Sequence, residues 1–202
     1  MTEREKQEQG FWYDANYNPE LLARRGKADE LCWQLGQTSP LDSAGLEELL
    51  KKLLPHRGRG VIILTPFYAD YGCNCWIGDQ CFFNHNAYLM DCAPIRIGSH
   101  CFIGPNCGMY TALHPLLAEE RNRGLERAKP ITLGDNVWLG GNVTILPGVT
   151  IGEGAVIGAG SVVSKDIPPR VLAVGSPCRV LREITERDSI ADTLAEEAAK
   201  YS

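Results

Sequence analysis

The stretch that decides the fold is Leu133–Pro168, LGDNVWLGGNVTILPGVTIGEGAVIGAGSVVSKDIP. An aliphatic residue recurs at every sixth position, and a small or β-branched residue follows four positions after each. The aliphatic residues are Leu133, Leu139, Ile145, Ile151, Ile157 and Val163, and their companions are Val137, Val143, Val149, Ala155, Ser161 and Ile167. A fixed period of this kind is the signature of a repeat architecture.

The period of six predicts a solenoid. Six residues suffice for a short strand and a tight corner, and side chains alternate between the two faces of a strand. The aliphatic residue, its companion and the residue midway between them are therefore expected to face one side. Glycine and asparagine elsewhere in the repeat supply the backbone freedom that corners need. Stacked coils of this kind form a parallel β-helix. A β-sandwich with glycine-rich turns is the alternative, and six successive repeats without a slip argue against it.

Repeats of six also precede this stretch. A first block runs from Tyr71 to Pro94, and two extra residues, Ile95 and Arg96, shift the phase before the repeats resume at Ile97. The pattern then stops, and the polar, charged segment 114–130 cannot continue a coil. Because the phase is unchanged when the repeats return at Leu133, this segment is predicted to loop out of the stack. Long excursions from a regular scaffold usually carry function.

The N-terminal region has a different residue pattern. Apolar residues at helical spacing begin at Pro19 and end at Gly36, and a second helical pattern ends at Pro55. Val61–Leu64 is interpreted as the first strand. Because a solenoid leaves unpaired strand edges at its ends, the two helices are expected to cap it. The predicted organisation is a helical segment 1–60, a β-helix domain 61–184 with excursion 114–130, and a helical or frayed tail 185–202.

Composition narrows the function classes. The chain has 202 residues and a net charge of −5, whereas nucleic-acid-binding proteins carry a basic footprint, so no nucleic-acid partner is expected. The charged start, MTEREKQEQ, does not resemble a signal peptide, and no apolar run approaches the length of a membrane span. We therefore expect a cytoplasmic protein without a membrane partner.

Eight cysteines raise the question of disulfides or zinc. Cys75, Cys81, Cys101 and Cys107 fall on the small inward position of the repeat, where a free cysteine packs as a small hydrophobe. The other four lack the paired spacing of a structural zinc site. Core packing is the favoured interpretation, and no metal is expected to be required.

Several motifs together resemble one known family. They are Thr111–Pro115 before the excursion, Asn136–Gly141, Gly158–Pro169 and Gly175–Val180. These motifs, with the repeats and the N-terminal helices, resemble the maltose/galactoside O-acetyltransferase family of hexapeptide-repeat acyltransferases from about Phe11 to Ile184. The resemblance implies a mainly β protein built as a left-handed parallel β-helix with an N-terminal α-helical cap. The left-handed sense rests on this likeness alone, because the general chirality rule favours right-handed crossovers.

The resemblance also implies an activity. Family members form homotrimers with active sites between subunits and transfer acetyl groups from acetyl-CoA to a hydroxyl of a sugar. His114 matches the catalytic histidine, and an imidazole is suited to accept the proton of an attacking hydroxyl. Glu126 matches a glutamate that orients this histidine and fixes its tautomer. A surface-loop histidine and a solvated loop charge are the structural alternatives for these two residues.

Further residues match binding positions of the family. Asp14, Asn84 and Asp91 match acceptor-contact positions, while Asp70 stands where galactoside-type members carry serine. Asn and Asp also satisfy corner backbone groups, so a structural role is the alternative. Trp138 matches an aromatic at the border of the active site. The acetyl-CoA-binding residues implied by the resemblance are Trp138, Gly141, Ala159, Ser164, Lys165, Arg179 and Arg182, of which the three basic residues suit the phosphates of CoA.

The sequence predicts direct transfer in a ternary complex, with Cys92 and Cys107 as candidates for a covalent route. Three alternatives stay open at this point. The acceptor could be a non-sugar such as serine, an amine or an antibiotic, or the scaffold could be a non-catalytic trimer. A zinc carbonic anhydrase on the same scaffold would need three converging histidines, for which the spacing around His114 gives no support. The sequence does not identify the physiological acceptor.

Overall fold

The computed structural model describes residues 1–200, in which short parallel strands wind into stacked coils with three faces. The predicted fold class is confirmed: the chain is mainly β, forms a parallel β-helix of hexapeptide repeats and carries helices at its N-terminal end. The helices are α1 (Glu3–Glu8), α2 (Pro19–Gln37), α3 (Ser43–Leu53), α4 (Ala118–Arg121) and α5 (Ala191–Lys200), with a 3₁₀ turn at Glu186–Asp188.

Each face is one parallel sheet that takes one strand from each coil. The first face contains β4 (Phe67–Ala69), β7 (Ala87–Met90), β10 (Gly108–Tyr110), β15 (Thr144–Ile145) and β18 (Val162–Val163). The second face contains β2 (His56–Arg57), β5 (Cys75–Ile77), β8 (Ile95–Ile97), β13 (Ile131–Leu133) and β16 (Thr150–Ile151). The third face contains β3 (Ile62–Ile63), β6 (Phe82–Phe83), β9 (Phe102–Ile103), β14 (Trp138–Leu139), β17 (Val156–Ile157) and β19 (Val171–Val174), and β20 (Arg179–Glu183) closes it as an antiparallel edge.

The strand register reveals how long each coil is. On the third face, Phe82 pairs with Phe102 and Trp138 pairs with Val156, so an early coil takes 20 residues and a later one takes 18. Phe102 pairs directly with Trp138, a spacing of 36 residues, because the excursion lies between them. The excursion therefore leaves the stack and returns to it in phase, as the sequence predicted.

The repeat pattern predicts the core well. All twelve aliphatic and companion positions of Leu133–Pro168 are buried. The residue midway between them does not face inward, however: Asp135, Glu153 and Lys165 are exposed. The strand ends at the next aliphatic residue, as in Trp138–Leu139, and begins directly after the companion. The midway residue belongs to the preceding corner. Strand alternation therefore does not extend across that corner.

Two details of the early coils differ from the sequence interpretation. The first strand of the solenoid is not Val61–Leu64, because His56–Arg57 already pairs with Trp76–Ile77. The two extra residues are not Ile95 and Arg96, which lie within β8. The additional length lies in the corners 70–74 and 91–94, and a corner residue, Tyr71, does not open a strand.

The predicted cap is present. Leu35 of α2 and Leu53 of α3 share one hydrophobic cluster with Phe67 of the first face. Side chains of the helices thus cover the open end of the core, which removes apolar surface from water. Helix α1 was not predicted; Thr2 caps it through a reciprocal pair of hydrogen bonds with Glu5.

The cysteines and the tail complete the description. Each of the eight cysteines is a free thiol, and the four inward-facing ones predicted from the repeat are buried.

The tail is helical over Ala191–Lys200, while residues 201–202 of the predicted segment lie outside the described residues. No helix among the described residues is long and apolar enough to cross a membrane.

Candidate active site

The excursion is an arm rather than a plain loop. Strand β11 (Ala112–Leu113) pairs antiparallel with β12 (Leu125–Ala128), and α4 lies between the two strands. A third strand from the N-terminal segment, β1 (Tyr13–Asp14), pairs antiparallel with the outer side of β12. The arm brings His114, which directly follows β11, next to Glu126 on β12.

His114 is held in one tautomer by the arm itself. Its Nδ1 lies 2.9 Å from the carbonyl oxygen of Leu125, which can only accept a hydrogen bond, so Nδ1 carries the proton. Nε2 is then left with a free lone pair, as a general base requires. The histidine side chain remains 41% exposed. The orienting contact expected of Glu126 is thus made by the Leu125 carbonyl, because the antiparallel pairing places that group beside Nδ1.

Glu126 faces the other ring nitrogen. Its Oε2 lies 3.7 Å from His114 Nε2, and its side chain is 6% exposed. A carboxylate at this distance favours the protonated imidazole that forms when the histidine accepts a proton. The other carboxylate oxygen, Oε1, accepts a hydrogen bond from the hydroxyl of Tyr13, which in turn accepts one from Gln7 Nε2 at 3.3 Å.

The two cysteines considered for covalent catalysis lack activation. Burial, followed by the charges of Glu126 and Asp70, raises the pKa of the Cys92 thiol. Burial likewise raises the pKa of Cys107. Because the thiolate is the nucleophilic form, both side chains are inert thiols in this environment.

Asp70 lies at the corner below the arm. Its Oδ1 accepts a hydrogen bond from the Tyr88 hydroxyl at 2.5 Å, and its Oδ2 accepts a weaker one from the Cys92 thiol at 3.6 Å. Asp70 and Tyr88 also line a cleft of 630 Å³ between α2 and the first face, together with Arg25 of that helix. This carboxylate can therefore reach a molecule bound in the cleft.

Asp91, predicted to contact the acceptor, is fully buried. Its two carboxylate oxygens accept hydrogen bonds from the backbone N–H groups of Tyr71 at 2.8 Å and Asn74 at 3.1 Å. Burial raises the pKa of this carboxyl despite those bonds. The side chain therefore satisfies the longer corner of the preceding coil, as the structural alternative expected, and its contact with an acceptor stays a prediction.

Asp14 has a local structural task as well. Its Oδ1 accepts hydrogen bonds from the backbone N–H groups of Asn16 and Tyr17, at 3.2 and 2.9 Å, and so closes the turn that leads into α2. The side chain is only half-buried, and its strand lies against β12. Asp14 is therefore on the same side of the molecule as His114.

The remaining predicted residues separate into two groups. We call the corner between the first and second faces the histidine corner, and the corner between the third and first faces the asparagine corner. Asp70, His114, Ser164 and Lys165 belong to the histidine corner. Asn84, Gly141 and Ala159 belong to the asparagine corner, and Trp138, which is 54% exposed, lies on the third face beside it.

The two corners are separated by the width of the first face. Strand β7 crosses that face from Ala87 to Met90, which corresponds to about 10 Å at ~3.3 Å per residue, and the corner residues lie beyond its two ends. Within one chain, Asn84 and His114 therefore lie at opposite edges of the first face.

The basic residues predicted for CoA are not equivalent. Arg179 and Arg182 lie on β20, above the third face. Arg182 forms a two-point ion pair with Asp188, with Nη2 2.7 Å and Nη1 2.8 Å from the carboxylate oxygens. Lys165 is exposed and has no ion-pair partner within residues 1–200. Lys165 is therefore the freer cation, and Arg182 is already neutralised by its partner.

Sequence reasoning missed three groups of this site: Gln7, Tyr13 and the Leu125 carbonyl. Tyr13 precedes Asp14, which was identified, but nothing in the local pattern showed that this segment forms a strand against the arm. Within the described residues, no three His, Cys, Asp or Glu side chains are grouped so that they could hold a metal ion.

Comparison with family models agrees with the fold. The model described as "Bacterial transferase hexapeptide (six repeats)" matches residues 130–165, and the hexapeptide-repeat model of succinyl-transferase matches residues 94–112. The N-terminal region, residues 8–58, matches the maltose acetyltransferase hexapeptide capping motif. The chain therefore belongs to the maltose/galactoside O-acetyltransferase family of hexapeptide-repeat acyltransferases.

Individual proteins show how far the likeness extends. A putative acetyltransferase of Saccharomyces cerevisiae is 49% identical over 180 residues, covering 89% of this chain and 92% of its own. The structure of a maltose O-acetyltransferase from Clostridium difficile superimposes with a TM-score of 0.89 at 41% identity, covering 92% of this chain and 99% of its own. A galactoside acetyltransferase in complex with coenzyme A gives a TM-score of 0.89 at 38% identity, covering 93% and 94%. A hexapeptide-repeat acetyltransferase of Vibrio cholerae complexed with acetyl-CoA gives a TM-score of 0.83 at 40% identity, covering 92% of this chain and 100% of its own.

Proposed function

We propose that this protein transfers an acetyl group from acetyl-CoA to a hydroxyl group of a sugar, with His114 as the general base. The observation that carries the proposal is the pair of contacts around the imidazole. The Leu125 carbonyl fixes the proton on Nδ1, and the buried Glu126 carboxylate lies 3.7 Å from Nε2. A base with a free lone pair beside a negative charge suits removal of a hydroxyl proton.

The reaction proceeds in one ternary complex. His114 Nε2 takes the proton of the acceptor hydroxyl as its oxygen attacks the thioester carbonyl. The carbon–sulfur bond then breaks, the acetyl group stays on the sugar oxygen, and the CoA thiolate leaves and takes up a proton. Glu126 stabilises the positive charge on the imidazole while His114 holds the proton. The raised pKa of Cys92 favours this direct route over an acyl-enzyme.

The donor and the acceptor have separate supports. For acetyl-CoA, the complexes of two family members with CoA or acetyl-CoA, at 38% and 40% identity, support this donor. That it binds near Gly141, Ala159, Ser164 and Lys165 rests on the resemblance. For the acceptor, the polar cleft beside Asp70 supports a ligand rich in hydroxyl groups, since carboxylate and phenol groups form directional hydrogen bonds with them. The maltose and galactoside enzymes among the relatives support a sugar over serine, an amine or an antibiotic.

We further propose a homotrimer whose active sites lie between subunits, so that the histidine corner of one copy meets the asparagine corner of the next. The distance between the two corners within one chain supports this arrangement. Exposed apolar side chains next to the asparagine corner support it as well, because such patches usually mark protein contacts. They are Ile62, Phe102 and Trp138, which are 55%, 56% and 54% exposed. Three copies are inferred from the family resemblance.

The proposed activity is tested by following CoA release from acetyl-CoA with a panel of glucosides, galactosides, maltose, serine and chloramphenicol. His114→Ala is expected to lower the rate by about 10²–10⁴-fold, the usual contribution of a general base. His56→Ala is the matched control, because His56 stacks on Trp76 of the second face at 5.0 Å, away from the arm. Turnover only with a non-sugar would establish the alternative acceptor class, and a chain that fails to bind CoA in calorimetry would favour a non-catalytic scaffold.

A further inference from the structure

Tyr13 reaches the arm from the opposite end of the chain. Its hydroxyl donates a hydrogen bond to Glu126 Oε1 across a sequence separation of 113 residues. The pairing of β1 with β12 places Tyr13 directly opposite Glu126. Tyr13 is completely buried and Glu126 is 5% exposed, so water does not compete for this contact.

The chemistry of the contact is that of a neutral donor on a charged acceptor. Burial raises the pKa of Tyr13, and the neighbouring Cys92 and Glu126 add to the effect, so the phenol stays protonated at physiological pH. A phenol O–H that donates to a carboxylate stabilises the ionised form of that carboxylate. A buried Glu without such a donor would tend to take up a proton, because desolvation penalises the charged form.

A second contact fixes the tyrosine. Gln7, on α1, is 5% exposed and directs its Nε2 at the Tyr13 oxygen, 3.3 Å away. The side-chain amide can only donate through this nitrogen, so the phenol must use its own proton toward Glu126. The direction of the whole chain of hydrogen bonds is therefore determined from Gln7 through Tyr13 to Glu126.

We propose that Tyr13 is a positioning residue of the active site, which acts through Glu126 on the His114 imidazole. The N-terminal segment from α1 to β1 is then part of the catalytic apparatus as well as a neighbour of the cap. The proposal rests on the proposed function only in taking His114 as the base. It adds that the Tyr13 hydroxyl keeps the Glu126 carboxylate ionised and oriented beside that base.

The test must account for every group that faces Glu126. Tyr13 contacts it from β1, and His114 contacts it from the end of β11. Cys92 and Tyr71, from two corners of the solenoid, interact with its charge. Because the pKa values of Cys92 and Tyr71 are raised, both side chains are neutral near pH 7 and add no charge beside Glu126.

The decisive measurement is the NMR titration of the His114 imidazole in the full chain, which needs no acceptor. Glu126→Gln removes the neighbouring charge and is expected to move the midpoint of the titration to lower pH. Tyr13→Phe is expected to move it in the same direction, because the carboxylate then loses its donor and is protonated or turned away. Tyr17→Phe is the control: Tyr17 follows in the same turn, is 65% exposed and donates only a long bond of 3.4 Å to Asn122.

A double-mutant cycle separates positioning from a structural effect. If Tyr13 acts through Glu126, adding Tyr13→Phe to Glu126→Gln changes neither the titration nor kcat any further. On its own, Tyr13→Phe is expected to lower kcat by about 10-fold, part of the 10²–10⁴-fold effect of the base, and to leave KM for acetyl-CoA within about two-fold. An unshifted titration in Tyr13→Phe, or the same loss of kcat with and without Glu126, overturns the inference.

Failure of the Tyr13 proposal can be distinguished from failure of the proposed function. Full activity in His114→Ala would refute His114 as the base, whatever Tyr13 does. Should Tyr13→Phe melt at a much lower temperature, Gln7→Met replaces it, since that change keeps the phenol and removes the amide that donates to it. The midpoint of the His114 titration in Gln7→Met is then expected to shift in the same direction by a smaller amount. The absence of a shift counts against the proposal.

Discussion

The histidine corner and the asparagine corner belong to the same stack of coils and differ in regularity. At the asparagine corner, four successive coils turn through three residues, and the third adopts a left-handed backbone: Asn86, Asn106, Asn142 and Gly160 have φ of 61°, 58°, 58° and 71°, whereas Pro66 stands at this position in the first coil. At the histidine corner, the early coils take two extra residues and a later coil inserts the whole arm. The regular corner offers mostly backbone and small side chains, whereas the irregular one carries Asp70, His114 and Glu126.

This difference teaches where chemistry can enter a repeat protein. A corner within a strict six-residue repeat must use residues that tolerate a left-handed backbone, which leaves few positions for a reactive side chain. Extra residues relieve that restriction, but their backbone groups must then find partners. Asp91 supplies such partners for the corner of the preceding coil, and the arm supplies its own through the pairing of β11 with β12.

The largest expected effect comes from separating the two corners between different chains. His114→Ala and Asn84→Ala are each expected to be nearly inactive as pure proteins. If a site takes one corner from each of two copies, refolding an equal mixture restores about a quarter of the sites. Each of the two corners then comes from a copy with the intact residue in half of the cases. The measurement is the rate of CoA release before and after mixing. Recovery at zero would mean that both residues serve one site within a single chain.

The next effect concerns two aspartates, one coil apart, at the histidine corner. Asp91→Ala leaves the buried N–H groups of Tyr71 and Asn74 without partners, which is expected to cost about 2–4 kcal/mol of unfolding free energy. For a chain of this size that corresponds to a melting temperature lower by about 5–15 °C. Asp70→Asn is the matched control and is expected to alter turnover while the melting temperature stays within about 2 °C. Equal losses of stability in the two variants would contradict the assignment of Asp91 to the fold.

The regular part of the molecule could be predicted from the sequence because its causes are local. Leu133 and Val137 are buried for reasons that six neighbouring residues already contain, and the same holds for each later coil. Asp91 shows the limit of that reasoning. Its type and its place in the repeat fit a ligand contact and a backbone contact equally well, and only the length of the preceding corner decides between them.

The arm could not be predicted in detail because its partners are remote. Segment 114–130 has no period, and its hairpin is completed by Tyr13–Asp14, more than a hundred residues earlier in the chain. The position of His114 was inferred from a resemblance, whereas the carbonyl of Leu125 that fixes its tautomer has no side-chain signature at all. Glu126 was identified, but its part differs: it faces the lone-pair nitrogen instead of the protonated one.

A smaller effect tests how tightly the asparagine corner is stacked. A Cβ on Gly140 would lie 2.7 Å from the backbone nitrogen of Ala159, whereas a Cβ on Gly141 would first meet Pro105 Cγ at 3.4 Å. Gly140→Ala is therefore expected to cost about 1–3 kcal/mol of unfolding free energy, and Gly141→Ala less than about 1 kcal/mol. Chemical denaturation measures both. If Gly141→Ala also changes KM for acetyl-CoA while Gly140→Ala does not, the backbone at residue 141 lines the donor channel.

The smallest expected effect lies above the third face, at the ion pair of Arg182 and Asp188. Asp188→Asn releases the guanidinium, so the affinity for CoA is expected to rise by about two- to five-fold, and less at high salt, where exposed charges are screened. Arg182 lowers the pKa of Asp188 to about 2, so the wild-type pair is fully ionised down to about pH 4. The gain is therefore expected to be the same from pH 8 to pH 4 in calorimetry, apart from the titration of CoA itself. Unchanged affinity in Asp188→Asn would remove Arg182 from the donor site and leave Lys165 and Arg179 as the cations predicted to bind the CoA phosphates.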